Sequence, residues 1–159
     1  MTKTQHEQFM KQAIELARAG SKHGQGGPFG AIIVFEGKVV GTGSNKVTST
    51  NDPTAHAEVV AIREACRNLK TFSLKGAQIY TSCEPCPMCL AALYWARIDQ
   101  IFFAATQEDA ATIGFDDAFF YIELKKSPQN RLIPAIPLLR DQSVEVFKEW
   151  HKDPNRIPY

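Results

Sequence analysis

Two short clusters of metal-binding side chain types, far apart in this chain, must be brought to one point by whatever fold it adopts. His56-Ala57-Glu58 is answered thirty residues later by Pro85-Cys86-Pro87-Met88-Cys89. Two thiols at C-x-x-C spacing lie within one turn of a helix, so the imidazole has to come from a different element. The chain between them can supply this. Val59, Ile62, Ala65, Cys66 and Leu69 recur at helical spacing, Gln78-Ile79-Tyr80-Thr81 is a short strand, and Cys86 opens a second helix. Residues two apart do not share a helix face, so His56 and Glu58 can converge only at a helix end. Both clusters therefore belong at helix N-termini, where the dipoles favour thiolates and other anions.

One imidazole and two thiols fill three positions of a tetrahedral metal and leave the fourth for water, the pattern of a catalytic site. Glu58 is then the natural base for that water. Each part has an ordinary alternative when read alone. Cys86 and Cys89 would serve as a redox dithiol, His56 as a loop or core histidine, and Glu58 as a solvated helix residue. Order, spacing and Pro85 together favour the joint reading. Cys83 and Cys86 form a second C-x-x-C pair. If Cys83 were a fourth ligand, the site would be closed and structural. Nitrogen and sulfur donors favour zinc, and iron could substitute.

The remaining periodicity predicts helices alternating with strands, hence a three-layer α/β/α sandwich around a mixed, mostly five-stranded sheet. A first helix starts at Thr4, which has capping-box spacing to Glu7, and stops near Gly20. Ala31–Phe35 and Lys38–Val40 flank Glu36-Gly37 as a hairpin. Ser44 to Thr54 is read as loop, with Asp52-Pro53 leading into the helix that carries Glu58. Gln100–Ala104 is another strand, and a helix follows from Asp117 to Lys125. Arg131 to Arg140 is extended, pushed to a sheet edge by Pro134 and Pro137. A last amphipathic helix covers Val144 to His151. No repeat or linker divides residues 1–159, so one domain is expected, with 153–159 as its tail.

Composition narrows the function. Hydrophobic content of 44% and a net charge of +1 describe a globular chain without a strongly basic surface, which argues against nucleic acid as partner. The polar start Met1–Glu7 carries no apolar signal core, and no run is long enough for a bilayer. Three of four cysteines fall within seven residues, unlike a secreted disulfide framework, so a reducing cytoplasm is expected. Cys66 lies on an apolar helix face and is read as core.

The H-x-E…P-C-x-x-C pattern resembles the cytidine deaminase-like superfamily of zinc nucleobase deaminases. Asn51-Asp52-Pro53-Thr54-Ala55-His56-Ala57-Glu58 is similar to its cytosine, guanine and tRNA-adenosine branches. Gly26-Gly27-Pro28-Phe29-Gly30-Ala31, Tyr94-Trp95-Ala96-Arg97, Gly114-Phe115-Asp116-Asp117 and the final Tyr159 resemble the small bacterial-type guanine deaminases nearly end to end. The resemblance implies one Zn2+ per subunit on His56, Cys86 and Cys89, with Glu58 shuttling protons. It implies a small purine base as substrate, surrounded by Phe29, Asn45, Trp95 and Asp117, and a homodimer whose exchanged C-terminal segment brings Tyr159 over the partner's site. Chemistry agrees. A carboxylate at Asp117 accepts from the donor edge of guanine, and Phe29 and Trp95 offer flat apolar faces.

Without the resemblance, Phe29 is loop packing, Asn45 a turn residue, Asp117 a helix cap that Asp116 could replace, Trp95 core, and 153–159 a loose terminus. Guanosine, cytosine or an aminotriazine remain rival substrates, as does tRNA adenosine. A zinc-stabilised binding protein is the non-enzymatic alternative.

Overall fold

The computed structural model describes Met1–Tyr159, which divides into two compact units, Met1–Asp117 and Ala118–Tyr159. The first opens with α1, Lys3–Lys22. Its cap is Thr2, not the predicted Thr4. The Thr2 hydroxyl accepts from Gln5 N and the Gln5 side chain accepts from Thr2 N, so the reciprocal pair forms two residues earlier. The helix also runs past Gly20, which is a packing glycine and not a stop. A Cβ there would lie 2.7 Å from Ser44 Cβ.

Strands β1 (Gly30–Phe35) and β2 (Lys38–Ser44) form the predicted hairpin. The short α2 (Val47–Thr50) and then α3 (Ala57–Leu69) follow. Asp52-Pro53 does not enter α3. Asp52 Oδ1 accepts from Thr54 N at 2.8 Å and from Thr54 Oγ1 at 2.6 Å, closing a turn on itself, and His56 takes the N-cap position instead. Next come β3 (Gln78–Cys83), α4 (Pro87–Trp95), β4 (Gln100–Ala105) and α5 (Gln107–Thr112). Sequence reading missed α5, although Thr106-x-x-Asp109 is a capping signature and forms one here.

The sheet order is β2-β1-β3-β4, with β1 antiparallel to both neighbours and β3 parallel to β4 across the α4 crossover. The sheet thus has four strands, not the expected five. Residues 131–139 form no strand because their backbone donors are lost or spent locally. Pro134 and Pro137 have none, Leu132 N bonds Glu123 Oε2, and Ala135 N bonds Pro128 O.

Strand alternation then makes the three layers. Ile32, Val34 and Tyr80 face α1 through Ala13, Phe9 and Leu16. Ala31, Ile33 and Ile79 face the other way, onto Ala57, Ala61 and Ala65 of α3 and Leu93 of α4. The alanine row lets α3 sit almost on the backbone of β2. A Cβ at Gly43 would lie 2.1 Å from Ala57 O, so only glycine fits, and the first turn of α3 is fixed against the sheet.

The second unit comprises α6 (Ala118–Lys125), a single 3₁₀ turn (Pro128–Asn130) and α7 (Arg140–Lys152), the last longer at its start than predicted. No helix is long and apolar enough to cross a membrane.

Candidate active site

His56 and Cys86 occupy equivalent places, each the extended N-cap residue of its helix, with φ −68° and ψ 155° for His56 and φ −64° and ψ 166° for Cys86. Cys89 lies one turn into α4. Cys86 Sγ is 3.6 Å and Cys89 Sγ 3.5 Å from His56 Nδ1. All three donor atoms fall within 4.8 Å of one another. A tetrahedral zinc with ordinary Zn–N and Zn–S bonds would set its N···S edges at about 3.6 Å. The donor set therefore fits zinc in kind and in spacing.

Protonation favours the same use. The neighbouring Cys89 S–H and then His56 hold the Cys86 thiol down to about 4, while the Cys86 sulfur raises His56 and keeps Cys89 protonated. The shared protons are those a divalent cation displaces on binding. Cys83 behaves differently. Its Sγ donates to Thr106 O at 3.5 Å, burial pushes it up to about 11, and it stands outside the donor group. The fourth-ligand arrangement of Cys83 is not formed.

Glu58 is buried at 6% exposure in the first turn of α3, and its Oε1 accepts from Thr81 Oγ1 of β3 at 3.3 Å. Burial raises its carboxyl above the ordinary range, with the Cys86 charge adding to the effect. A carboxyl so raised holds a proton more readily than an ordinary glutamate, which suits it to take one up and pass it on.

The cluster opens into a cavity of about 240 Å³, below the ~300–1,000 Å³ typical of drug-sized ligands and suited to a small ring. Phe29 and Phe115 form one wall, edge to face at 4.8 Å and 88°. Asn45 lies deeper at 4% exposure. Its Oδ1 accepts from Gly27 N at 3.3 Å and Val47 N at 3.1 Å, so the side chain offers the cavity its amide donors. Asp117 lines the same cavity as an acceptor, its carboxyl raised by burial first and by the Cys86 charge second.

Of the predicted residues, His56, Glu58, Cys86, Phe29, Asn45 and Asp117 line this one cavity, and Cys89 completes the donor group. Trp95 does not line it. It ends α4 at 63% exposure, with the Arg97 guanidinium 5.9 Å from its ring centroid. Tyr159 belongs to the second unit and is 75% exposed. Phe115 and Glu84 also line the cavity and had no role assigned from sequence. The one available signal for them was adjacency, Phe115 to Asp117 and Glu84 to Pro85.

Residues 3–105 match the family model of the cytidine and deoxycytidylate deaminase zinc-binding region. That stretch holds all three donors and Glu58 and ends before Phe115 and Asp117. Guanine deaminase of Bacillus subtilis (strain 168) is 49% identical over 154 residues, 97% of this chain and 99% of the relative. The X-ray structure of guanine deaminase from Bacillus subtilis superposes with a TM-score of 0.94 at 49% identity, covering 97% of this chain and 98% of that one. A tRNA-specific adenosine deaminase of Buchnera aphidicola is 37% identical over 91% of this chain and 93% of its own.

Proposed function

The chain belongs to the family defined by the cytidine and deoxycytidylate deaminase zinc-binding region, and from that premise we propose that it is a guanine deaminase, converting guanine and water to xanthine and ammonia. The observation that carries this reading is the meeting, in one small cavity, of the His56/Cys86/Cys89 donors, a buried Glu58, and a donor and acceptor pair at Asn45 and Asp117. Identity of 49% to a guanine deaminase along nearly the whole length supports the choice of base.

His56 Nδ1 and the Cys86 and Cys89 sulfurs would hold zinc, which supplies Lewis acidity that brings the pKa of water down toward ~7. The protein's own residues do the rest. Glu58 takes one proton from the attacking water and delivers it to a ring nitrogen. It then takes the second proton from the hydroxyl now on C2 and gives it to the 2-amino group, so that the C–N bond breaks, ammonia leaves and the C2 carbonyl forms. Its raised carboxyl suits both directions of transfer. Asp117 accepts from the donor edge of guanine, and Asn45, with Oδ1 spent on Gly27 and Val47, donates to a ring acceptor or to O6. Phe29 and Phe115 pack the ring and exclude water.

The reading includes a homodimer in which an exchanged C-terminal segment carries Tyr159 to the partner's site. Support comes from Ile133, Ile136 and Leu138, exposed at 83, 82 and 84% in the single chain, which is apolar surface for a second copy to cover. Four free cysteines support a reducing, cytoplasmic location.

Ammonia release measured over guanine, guanosine, cytosine and adenine, with a tRNA anticodon stem-loop as a fifth substrate, tests the assignment. Guanine should yield xanthine. Turnover confined to any other substrate would reject it.

A further inference from the structure

Glu84 lines the cavity and has no task in the reaction as described. It stands between Cys83, the last residue of β3, and the Pro85-Cys86 step that begins α4. Its backbone N donates to Ala105 O at 2.8 Å, and its side-chain Oε2 accepts from Gln107 N at 3.2 Å. With the Cys83 thiol on Thr106 O, three bonds from two consecutive residues clamp the end of β3 to the junction of β4 and α5.

The bond to Gln107 is not an ordinary local cap. Thr106 and Asp109 already form a reciprocal capping box for α5. Gln107 N is a further donor of that first turn, left over by the capping box, and it is taken by a carboxylate 23 residues away in sequence. From there the connection to the substrate is short. Buried Ala110 of α5 lines the cavity, its carbonyl accepts from Phe115 N at 3.1 Å, and Phe115 stands against Phe29 two residues before Asp117. On its other side Glu84 is two residues from Cys86.

We infer that Glu84 is a positioning residue that, through Gln107, fixes α5 and hence the Asp117 carboxylate at a set distance from the His56/Cys86/Cys89 donors. It couples the part of the cavity that holds metal to the part that reads the base. The inference rests on the guanine reading above, in which Asp117 touches the substrate.

Steady-state kinetics on the zinc-loaded full chain test it, beginning with guanine turnover by the unaltered protein. Failure there strikes the functional reading. The results below strike only the role of Glu84. Glu84→Ala should raise KM for guanine about tenfold, with a smaller change in kcat and one zinc per chain retained. Glu84→Gln keeps an oxygen acceptor and should recover most of that loss.

Gln107→Pro is the second probe. It deletes the backbone donor together with the Gln107 carboxamide, proline is tolerated at the first helical position, and Thr106 before it is already extended at φ −90° and ψ 168°. It should reproduce the Glu84→Ala phenotype, and it carries the test should Glu84→Ala fail to fold. In an Asp117→Asn background, Glu84→Ala should add less than about twofold. A normal Gln107→Pro enzyme, full additivity with Asp117→Asn, or loss of zinc from Glu84→Ala would each overturn the inference.

Discussion

The two halves of the cavity are built differently. The hydrolytic half stands on the first turns of α3 and α4, helices anchored in the core by fully buried residues such as Ala57 and Leu93 packed with Ile79 of the sheet. The recognition half, Phe29, Asn45, Phe115 and Asp117, stands on loops held by a small set of hydrogen bonds and one edge-to-face ring contact. The first half must hold donor atoms to tenths of an ångström. The second must only present a pattern of donors, acceptors and flat faces. On the proposed roles, reaction type is written in the packed part and substrate choice in the loops, which sequence can vary cheaply.

That contrast predicts different kinds of damage. The largest belongs to Glu58→Gln, which keeps the shape and the Thr81 contact but cannot carry protons. Turnover should fall on the order of 10³-fold with zinc content unchanged by metal analysis. Near-normal turnover would remove Glu58 from its role and with it the division drawn here. Gly43→Val strikes the same half from outside the cavity. A Cβ at 2.1 Å from Ala57 O must displace the first turn of α3, which carries Glu58 and follows directly on His56. We expect weaker zinc retention under chelator challenge and a stability loss of about 1–3 kcal/mol in denaturant titration. Replacing Gly24, where an added Cβ meets nothing within 4 Å, should leave zinc retention intact.

The contrast also explains what could be read in advance. The convergence of His56, Cys86 and Cys89 beside Glu58, the hairpin and the layer order were legible because each rests on local chemistry: ligand type, helix-end geometry, strand alternation. The resemblance to guanine deaminases supplied Asn45 and Asp117, which residue chemistry alone could not distinguish from a turn residue and a helix cap. Long-range backbone contacts left no sequence signal. Glu84 gave no sign that its carboxylate would find Gln107 N 23 residues on. The Asp52 turn onto Thr54 is local, but Asp52-Pro53 reads equally as the entry to a helix. The fifth strand failed for a related reason. Two prolines mark an extended segment, but only the fate of Leu132 N and Ala135 N shows that it pairs with nothing in the sheet.

In the recognition half the effects should be smaller and fall on KM. Asp117→Asn replaces an acceptor by a group that is half donor, and KM for guanine should rise about ten- to thirtyfold with a smaller change in kcat. The pH dependence carries a further signature. Burial and the Cys86 charge raise the Asp117 carboxyl, so the ionised acceptor is lost, as pH falls, sooner than for an ordinary aspartate. The acid limb of kcat/KM should therefore lie above the usual carboxylate range. Its Asp117 component should vanish in Asp117→Asn, leaving that of Glu58. An unchanged acid limb would detach Asp117 from the substrate.

The smallest expected effect lies at the periphery of the rigid half, where Glu64 of α3 accepts from Thr42 N and Thr42 Oγ1 of β2. The two bonds lower its carboxyl below the ordinary range. A depressed folded value means that the unfolded chain binds the proton more readily. The stabilisation is then complete above the unfolded pKa of about 4.3 and is lost as pH falls through the folded value. The site is largely open to solvent, so after screening the whole term is less than about 1 kcal/mol. Thermal unfolding of Glu64→Ala should show a Tm lower by at most about 2–4 °C at pH 7, a gap that closes as pH falls below about 4. Catalysis at neutral pH should be unaffected, because Gly43 and the alanine row, not Glu64, set the position of α3. Equal loss of turnover and stability in Glu64→Ala would mean that the rigidity of the hydrolytic half reaches the helix surface and is not confined to its packed face.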